Sequence, residues 1–307
     1  MQPRVANSGT VASPTLESLV ALSPFAVKLI TWNIQWGLGV DGRVDLRRIV
    51  NTAREMADFD VLCLQEVTSN YPALAGNNGD DQFATLAALL PEYQAISGVA
   101  VDRFTPARGR QQFGNMIFTR LPVLQVLGHQ LPWPAEPTLP TMPRLALEVV
   151  LEAPGGALRV TTTHLEFYSA LQRKAQVRML HSIHADAATH AADEFQRHKI
   201  GSPFETRPRG ARAILTGDFN CLPDDEAIKL LQSPCANGAP GYVDAWSLAH
   251  PNSSHAHTVD LHDATKAPRC FDYVFVSDNL RDAVRALTVN AETTASDHQP
   301  LLLEVEL

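Results

Sequence analysis

Six short polar clusters, each beside an apolar run, are spread along the sequence from end to end. Carboxylates, amides and imidazoles are costly inside a buried strand unless they are paired, so we expect them at strand ends that converge on one site. Acid and amide oxygens suit a hard divalent cation, and histidines stabilise charge or move protons. This inventory indicates phosphate-ester hydrolysis. The clusters are Thr31-Trp32-Asn33-Ile34, Leu64-Gln65-Glu66-Val67, Thr163-His164-Leu165-Glu166, Thr216-Gly217-Asp218-Phe219-Asn220, Phe271-Asp272-Tyr273-Val274 and Ser296-Asp297-His298-Gln299-Pro300.

The elements that must position these clusters begin with a strand predicted at residues 27–33. Asp45 is a helix-capping residue, and the apolar residues after it follow the 3.6-residue period, which predicts a helix. That helix leads to a predicted strand at residues 61–64, so Glu66 is expected where a buried strand ends. A second helix is predicted at residues 82–90, because Pro91 stops it.

The rest of the chain alternates predicted strands with fewer helices. Five prolines between residues 131 and 143 indicate an irregular loop, and Pro154-Gly155-Gly156 indicates a hairpin that leads to His164. A long helix is predicted at residues 171–192 and a short one at 225–231. Strands are predicted at residues 95–101, 115–119, 123–127, 145–151, 158–163, 212–216, 271–276 and 301–307.

Length and composition favour one large domain. The chain has 307 residues, which fits a single domain at 25–307 after a loosely ordered tail at 1–24. Its four cysteines make no Cys-x-x-Cys pair, which indicates reduced thiols. No apolar run approaches the ~20 residues of a membrane span, and the first residues do not resemble a signal peptide. We therefore expect a cytoplasmic protein without a transmembrane segment.

The net charge of the chain gives no support to nucleic-acid binding. A formal net charge of −8 and a pI near 5.7 lack the basic excess that is typical of nucleic-acid-binding proteins. A local basic rim is compatible with that charge, but ordinary solvated charges on loops and helix faces are the favoured interpretation. The residues of such a rim are Arg103, Arg108, Arg110, Arg120, Arg173, Lys174, Arg178, Arg207, Arg209 and Arg212.

The order of the motifs resembles the endonuclease/exonuclease/phosphatase superfamily, which includes deoxyribonuclease I, inositol-polyphosphate phosphatases and neutral sphingomyelinases. The similarity runs from about Lys28 to the C-terminus. It rests on Trp-Asn, Leu-Gln-Glu, Thr-His-Leu, Gly-Asp-Phe-Asn, Asp-Tyr-Val-Phe-Val-Ser and Ser-Asp-His-x-Pro. One tripeptide alone would be weak, but all of them in the family's order are specific. The resemblance implies an α/β four-layer sandwich, in which two packed mixed sheets are flanked by helices.

The same resemblance implies a metal site and a cofactor. Glu66 corresponds to the principal metal ligand, Asn33 to an amide that orders metal and phosphate, and Asp297 to a further metal contact. The cofactor implied is Mg²⁺ or Mn²⁺. Asn115 corresponds to a residue beside the phosphate pocket.

The resemblance also implies a set of catalytic residues. Asp218 and Asn220 would position or deprotonate the attacking water, and their spacing in an extended backbone would send both side chains to one side. Asp272 would hydrogen-bond His298 and fix its orientation, so that the free ring nitrogen faces developing negative charge. His164 would contact the scissile phosphate and could protonate the leaving oxygen.

These residues indicate a divalent-metal-dependent phosphoesterase that uses activated water, with an endonuclease-type nuclease as the leading interpretation. A phosphatase or sphingomyelinase-like phosphodiesterase that acts on a small or lipid phosphate is the alternative, and an inactive binding scaffold is a second one. The expected partner is a phosphate-ester substrate, possibly nucleic acid. Trp133, Phe167 and Tyr168 could stack a base or sugar, although packing is the commoner use of aromatic side chains.

Overall fold

A computed structural model describes residues 26–192, 199–205, 207 and 209–307. The predicted tail at 1–24 lies outside the described residues. The strands are β1 (Ala26–Asn33), β2 (Val61–Ser69), β3 (Gln94–Thr105), β4 (Gly109–Thr119), β5 (Val123–Gln130), β6 (Leu145–Ala153), β7 (Gly156–His164), β8 (Arg212–Asp218), β9 (Tyr242–Asp244), β10 (Asp272–Ser277), β11 (Val284–Val289) and β12 (Leu301–Glu306). The helices are α1 (Leu46–Met56), α2 (Gln82–Leu89), α3 (Ala170–Ala192), α4 (Glu226–Leu231) and α5 (Ala245–Ala249).

The described strands form two six-stranded mixed sheets. The strand order is β11-β12-β1-β2-β4-β3 in the first sheet and β5-β6-β7-β8-β10-β9 in the second. Each sheet has one parallel pair at its centre, β1 with β2 and β7 with β8, and the other pairs are antiparallel. Parallel neighbours end at the same edge of a sheet, so each central pair delivers two strand ends to one edge.

Helices cover the outer faces of the two sheets. Apolar residues of α1 and α2 pack on the first sheet, and those of α3 and α4 pack on the second. A separate apolar cluster fills the space between the sheets. This arrangement confirms the predicted four-layer α/β sandwich. Within the described part of the chain, no helix is long and apolar enough to cross a membrane.

Side chains that face the opposite sheet change from apolar to polar along each central strand. Alternate residues of a strand share one face, so the side chains of a strand that face the opposite sheet form a row in which neighbours are two positions apart in the sequence. The rows are Val27, Leu29, Thr31 and Asn33 in β1, Val61, Cys63 and Gln65 in β2, Leu158, Val160, Thr162 and His164 in β7, and Ile214, Thr216 and Asp218 in β8. Gln65 Nε2 donates to Thr162 Oγ1 at 2.8 Å, which joins the sheets where the rows become polar.

Most predicted elements are present, with different ends in several cases. The first helix begins after Asp45, whose side chain accepts from Arg48 N as a cap. The prediction that the strand before Glu66 stops at residue 64 is wrong, because β2 continues to Ser69. β9, α5 and β11 were not predicted from the sequence, because they are short or lie among polar residues.

A buried charged cluster joins the second sheet to α3. Arg159 of β7 is fully buried, and its Nη1 lies 3.3 Å from Glu148 Oε2 of β6. Its Nη2 lies 2.6 Å from Nδ1 of His184 in α3, while Arg209 Nη2 lies 3.0 Å from Glu148 Oε1. Burial opposes the charge on Glu148, but His129, Arg159 and Arg209 outweigh it and lower its pKa to about 2. Burial and the Arg159 charge lower the pKa of His184 to about 4.

This cluster predicts that the fold loses stability in acid. His184 binds a proton near pH 6.5 when unfolded and only near pH 4 when folded, so stability falls as the pH drops through that window. The folded-state pKa of Glu148 is also lowered, which adds a loss at lower pH. We expect wild-type protein to lose about 3 kcal/mol through His184 between these pH values, measured by urea unfolding. His184→Gln should remove that part of the slope, whereas His190→Gln, at an exposed position of the same helix, should keep it. Equal slopes in all three proteins would contradict this assignment.

Candidate active site

Four of the predicted site residues lie at strand ends on one edge of the sandwich. Asn33, His164 and Asp218 are the last residues of β1, β7 and β8, and Asp272 is the first residue of β10. His164 is paired with Asp218 in the parallel register, and Asp272 is paired with Asp218 in the antiparallel register. The two central parallel pairs therefore bring these polar side chains to the same edge.

Glu66 reaches this edge through a β-bulge. The pairing of β2 with β4 shifts from Leu64–Met116 to Val67–Gly114, so Gln65 and Glu66 both lie opposite Asn115. Glu66 has a φ of 64°, in the left-handed region. In a regular strand Glu66 would share the helix-facing side with Leu64, and the bulge turns it away from that side. A bulge changes the direction of a side chain without ending the strand. Glu66 can therefore point to the site although β2 continues past it to Ser69.

The amide of Asn33 joins two carboxylates from different sheets. Its Nδ2 donates to Glu66 Oε1 at 3.1 Å and to Asp218 Oδ2 at 3.0 Å. Its Oδ1 accepts from the backbone N–H of Gln35 at 3.0 Å, which fixes the direction of the amide. Asn33 is buried, so these bonds hold Glu66 and Asp218 in place away from solvent.

Asp218 lies at the centre of the group. Its Oδ2 is 3.6 Å from His164 Nε2 and 3.8 Å from His298 Nε2. Burial and the nearby charge of Asp272 raise the pKa of Asp218 to about 7, although His298 and Asn33 act in the opposite direction. A buried carboxyl with this pKa can take up and release a proton near neutral pH.

Asp272 and His298 form the expected dyad, with a third member that the sequence analysis missed. His298 Nδ1 lies 2.8 Å from Asp272 Oδ2, which leaves Nε2 directed to Asp218. The hydroxyl of Thr258 donates to the same Asp272 oxygen at 2.6 Å. Burial opposes a charged imidazole, but the charges of Asp272 and Asp218 outweigh it and raise the pKa of His298 well above its usual range. Positive charge on this ring is therefore favoured by its two carboxylate neighbours.

His164 has the opposite electrostatic environment. Its Nε2 lies 3.8 Å from Glu66 Oε1, and its buried Nδ1 has no hydrogen-bond partner among the described residues. Burial, together with the positive charges of Arg144 and His298, lowers its pKa well below the usual range. Positive charge is thus disfavoured on His164 and favoured on His298.

Asn220 is close to Asp218, but the backbone between them is not extended as expected. Asn220 has a φ of 51°, and its backbone N–H donates to Asp218 Oδ1 at 2.8 Å. This Asx-type turn follows the end of β8 and replaces the extended geometry that the two-residue spacing implied. The side chain of Asn220 donates to the carbonyl of Leu165, next to His164, at 2.9 Å.

Glu66 and Asp297 are the residues most suited to hold a cation. Burial and the charge of Asp297 raise the pKa of Glu66, and burial also raises the pKa of Asp297. Gln35 Nε2 donates to Asp297 Oδ2 at 2.7 Å and so fixes that carboxylate. Partly buried carboxylates whose own charges are disfavoured fit a hard divalent cation. Gln35 was not predicted as a site residue, although it lies only two positions after Asn33 in the sequence.

Asp218, Asp272 and His298 also present ligand atoms within 4.8 Å of one another. Asp272 Oδ2 already accepts from Thr258 and contacts His298 Nδ1, so a cation there would have to replace hydrogen bonds that orient the dyad. We therefore favour Glu66 and Asp297 as cation ligands.

Asn115 lies opposite the bulge, and its role beside the phosphate stays a prediction. Its Nδ2 donates to the carbonyl of Leu145 at 3.3 Å, and its side chain is buried. Asn115 lies opposite Glu66 where β4 pairs with β2. Its bond to Leu145 therefore helps to hold β4 against the second sheet next to Glu66. Arg144, the residue before Leu145, was not predicted, although it is buried beside the site and pairs with Glu166 at 3.2 Å.

Comparison with known proteins gives the family of the chain. The sequence profile of the Endonuclease/Exonuclease/phosphatase family matches residues 30–298. The chain belongs to that family. Among curated protein sequences, none matches the chain significantly.

Solved structures with the same fold are distant in sequence. An endonuclease/exonuclease/phosphatase from Beutenbergia cavernae is 24% identical, with a TM-score of 0.65, and the match covers 92% of this chain and 72% of that one. The mannosyl-6-phosphatase of Bacteroides thetaiotaomicron is 16% identical, with a TM-score of 0.62, over 92% and 100% of the two chains. The human nocturnin catalytic domain is 21% identical, with a TM-score of 0.59, over 91% and 93%.

The end of β8 predicts a strong effect of one glycine substitution. A Cβ at Gly217 would lie 1.9 Å from the carbonyl oxygen of Thr163, and the φ of Gly217 is 137°. We expect Gly217→Ala to separate β7 from β8 and to cost more than ~3 kcal/mol of unfolding free energy in urea. Gly156→Ala is the matched control, because its φ is 110° but no atom lies within 4 Å of the added Cβ. If both variants lose the same stability, the close approach at Gly217 does not constrain the site.

Proposed function

We propose that the protein is a divalent-metal-dependent phosphoesterase that hydrolyses phosphodiester bonds with activated water, and that it acts as an endonuclease-type nuclease. One observation carries the proposal. Asp218 Oδ2 lies within 4 Å of both His164 Nε2 and His298 Nε2 and accepts from Asn33. A carboxylate between two imidazoles, beside two further buried acids, has the groups needed for water activation and phosphate stabilisation.

Glu66 and Asp297 would hold Mg²⁺ or Mn²⁺, and Asn33 would order the carboxylates through its amide nitrogen. When bound, the cation would neutralise charge on the phosphate and on the leaving oxygen. Asn33 would use both ends of its amide, since the nitrogen donates to Glu66 and Asp218 and the oxygen, which accepts from Gln35, keeps a second lone pair for the cation.

The remaining residues account for the chemical step. Asp218 accepts a proton from the attacking water as the water oxygen bonds to phosphorus and the opposite P–O bond breaks. His298, held by Asp272 and Thr258, places positive charge beside the nonbridging oxygens. The leaving oxygen takes up a proton from solvent water, and Asp218 returns the proton that it accepted to solvent, so the protonation of the site is restored. His164 hydrogen-bonds the phosphate through Nε2.

The described surface gives limited support to an extended basic rim. Among the predicted rim residues, several already pair with acids, and the interpretation as ordinary solvated charges fits them better. These are Arg110, Arg120, Arg173, Lys174, Arg207 and Arg209. Binding of nucleic acid would therefore depend on contacts close to the scissile phosphate rather than on a wide positive surface.

The proposal predicts metal-dependent diesterase activity that depends on Asp218. Wild-type protein should hydrolyse bis-p-nitrophenyl phosphate and nick plasmid DNA with Mg²⁺ or Mn²⁺, and EDTA should stop both reactions. Asp218→Asn should lower kcat by at least ~100-fold, because the general base is lost while the amide keeps the shape of the side chain.

The control is Asp282→Asn, which changes an exposed acid and should keep full activity. Diester hydrolysis that persists in EDTA, or an unchanged kcat in Asp218→Asn, would contradict the proposed mechanism. Turnover of phosphomonoesters or sphingomyelin without cleavage of DNA or RNA would replace the nuclease with the small- or lipid-phosphate alternative.

A further inference from the structure

A second aspartate–histidine pair lies beside the catalytic one. His255 Nε2 is 2.5 Å from Asp244 Oδ2, and Asp244 is the buried last residue of β9. The catalytic pair joins His298 to Asp272, the first residue of β10. β9 and β10 are neighbours in the second sheet. The proposed mechanism gives Asp244 and His255 no role, so this buried pair calls for an explanation of its own.

Neighbouring groups hold the second pair in one orientation. Asp244 Oδ1 accepts from the backbone N–H of Trp246 at 2.9 Å, and its Oδ2 accepts from the hydroxyl of Ser247 at 3.1 Å. The ring of His255 stacks on Trp246, with 6.0 Å between the ring centroids, and meets the ring of Tyr273 edge-on at 5.7 Å. These contacts fix the direction of the His255 ring, with Nε2 on Asp244.

A small cavity is shared by the two pairs. Its volume is about 10 Å³, and its lining includes Asp244, His255, Thr258 and Asp272. A single buried water needs roughly 10–15 Å³ of such free space. The cavity therefore has the size of a site for one water molecule.

One oxygen of the catalytic carboxylate lacks a partner beside this cavity. Asp272 Oδ2 contacts His298 Nδ1 and accepts from Thr258, whereas Oδ1 is buried and has no hydrogen-bond partner among the described residues. Buried polar atoms without a partner are costly, and ordered water is a common partner for them. In His255 only Nε2 is bonded to a described residue, which leaves Nδ1 able to bond a water whether or not the ring is charged.

The polar atoms in the lining favour a water over a dry cavity. Aliphatic side chains form part of the wall, namely those of Val274, Leu287, Val289 and Leu301. Cavities that are lined only by apolar groups stay dry. Here a carboxylate oxygen and an imidazole nitrogen supply the two polar partners that a buried water needs.

We propose that this cavity binds one water molecule, which donates a hydrogen bond to Asp272 Oδ1 and is bonded to Nδ1 of His255. The inference rests on the proposed phosphoesterase function, in which Asp272 orients His298. Because the water fixes the second oxygen of Asp272, the carboxylate is kept from rotating away from His298 Nδ1. His255 is then a positioning residue, since it acts through the water and the catalytic pair and does not touch substrate.

Two matched variants, His255→Phe and His257→Phe, test this role. The first keeps a ring against Trp246 and Tyr273 but removes both nitrogens, whereas the second makes the same change at an exposed position of the same loop. With bis-p-nitrophenyl phosphate and Mn²⁺, His255→Phe should lower kcat by about 10- to 100-fold, the range typical of residues that orient an active-site ligand, and leave KM unchanged. His257→Phe should keep both constants.

High-resolution crystal structures of wild type and His255→Phe locate the water independently of activity. Wild type should contain a water about 2.5–3.2 Å from both Asp272 Oδ1 and His255 Nδ1, and the variant should have lost it. A wild-type cavity without water, an unchanged kcat in His255→Phe, or an equal fall in both variants would overturn the proposal. If His255→Phe does not fold, the wild-type structure still decides. A wild type that contains the water but hydrolyses no phosphodiester would contradict the proposed function and support the water site, so the two failures are distinguishable.

Discussion

The shared hydrogen bonding of the Asn33 amide to Glu66 and Asp218 is the interaction on which the active-site edge depends. Glu66 belongs to the first sheet and Asp218 to the second, and the amide nitrogen lies 3.1 and 3.0 Å from their oxygens. Two buried carboxylates that approach one donor would repel each other in the absence of positive charge. Positive charge near this edge therefore stabilises it. A protonated His298 and a metal ion at Glu66 and Asp297 would both supply that charge.

The hydrophobic core and the active site are two ends of the same rows of side chains. In β1, β7 and β8 the row that faces the opposite sheet begins with aliphatic residues and ends with Asn33, His164 and Asp218. Burial of the aliphatic end fixes the distance between the sheets, and this distance sets the separation of the polar groups at the other end. Local backbone exceptions then complete the geometry, since Glu66 and Asn220 both adopt positive φ. Such strained positions persist only where the surrounding structure holds them.

Much of the fold and most of the site composition were predictable from the sequence, because strand periodicity and the order of the motifs are both local signals. The direction of Glu66 was not, since the bulge depends on its pairing with the distant Asn115. A turn at Asn220 was not favoured over an extended backbone, because only glycine indicates a left-handed residue clearly. Thr258 lies in a polar loop without a motif, and only the folded chain places its hydroxyl on Asp272. Arg144 is likewise separated from Glu66 along the sequence and meets it only across the sheets.

The most direct test of the central claim is the free energy of unfolding as a function of Mn²⁺ concentration, without any substrate. If Glu66 and Asp297 hold the cation, wild-type protein should gain about 2.7 kcal/mol at a metal concentration 100 times the dissociation constant. Glu66→Gln and Asp297→Asn should lose this gain, yet be at least as stable as wild type in EDTA, because each removes a charge that the folded protein disfavours, as the raised pKa values of both acids show. The exposed Asp282→Asn should respond as wild type does. A full Mn²⁺ response in Glu66→Gln would contradict the claim that this edge is built around a cation.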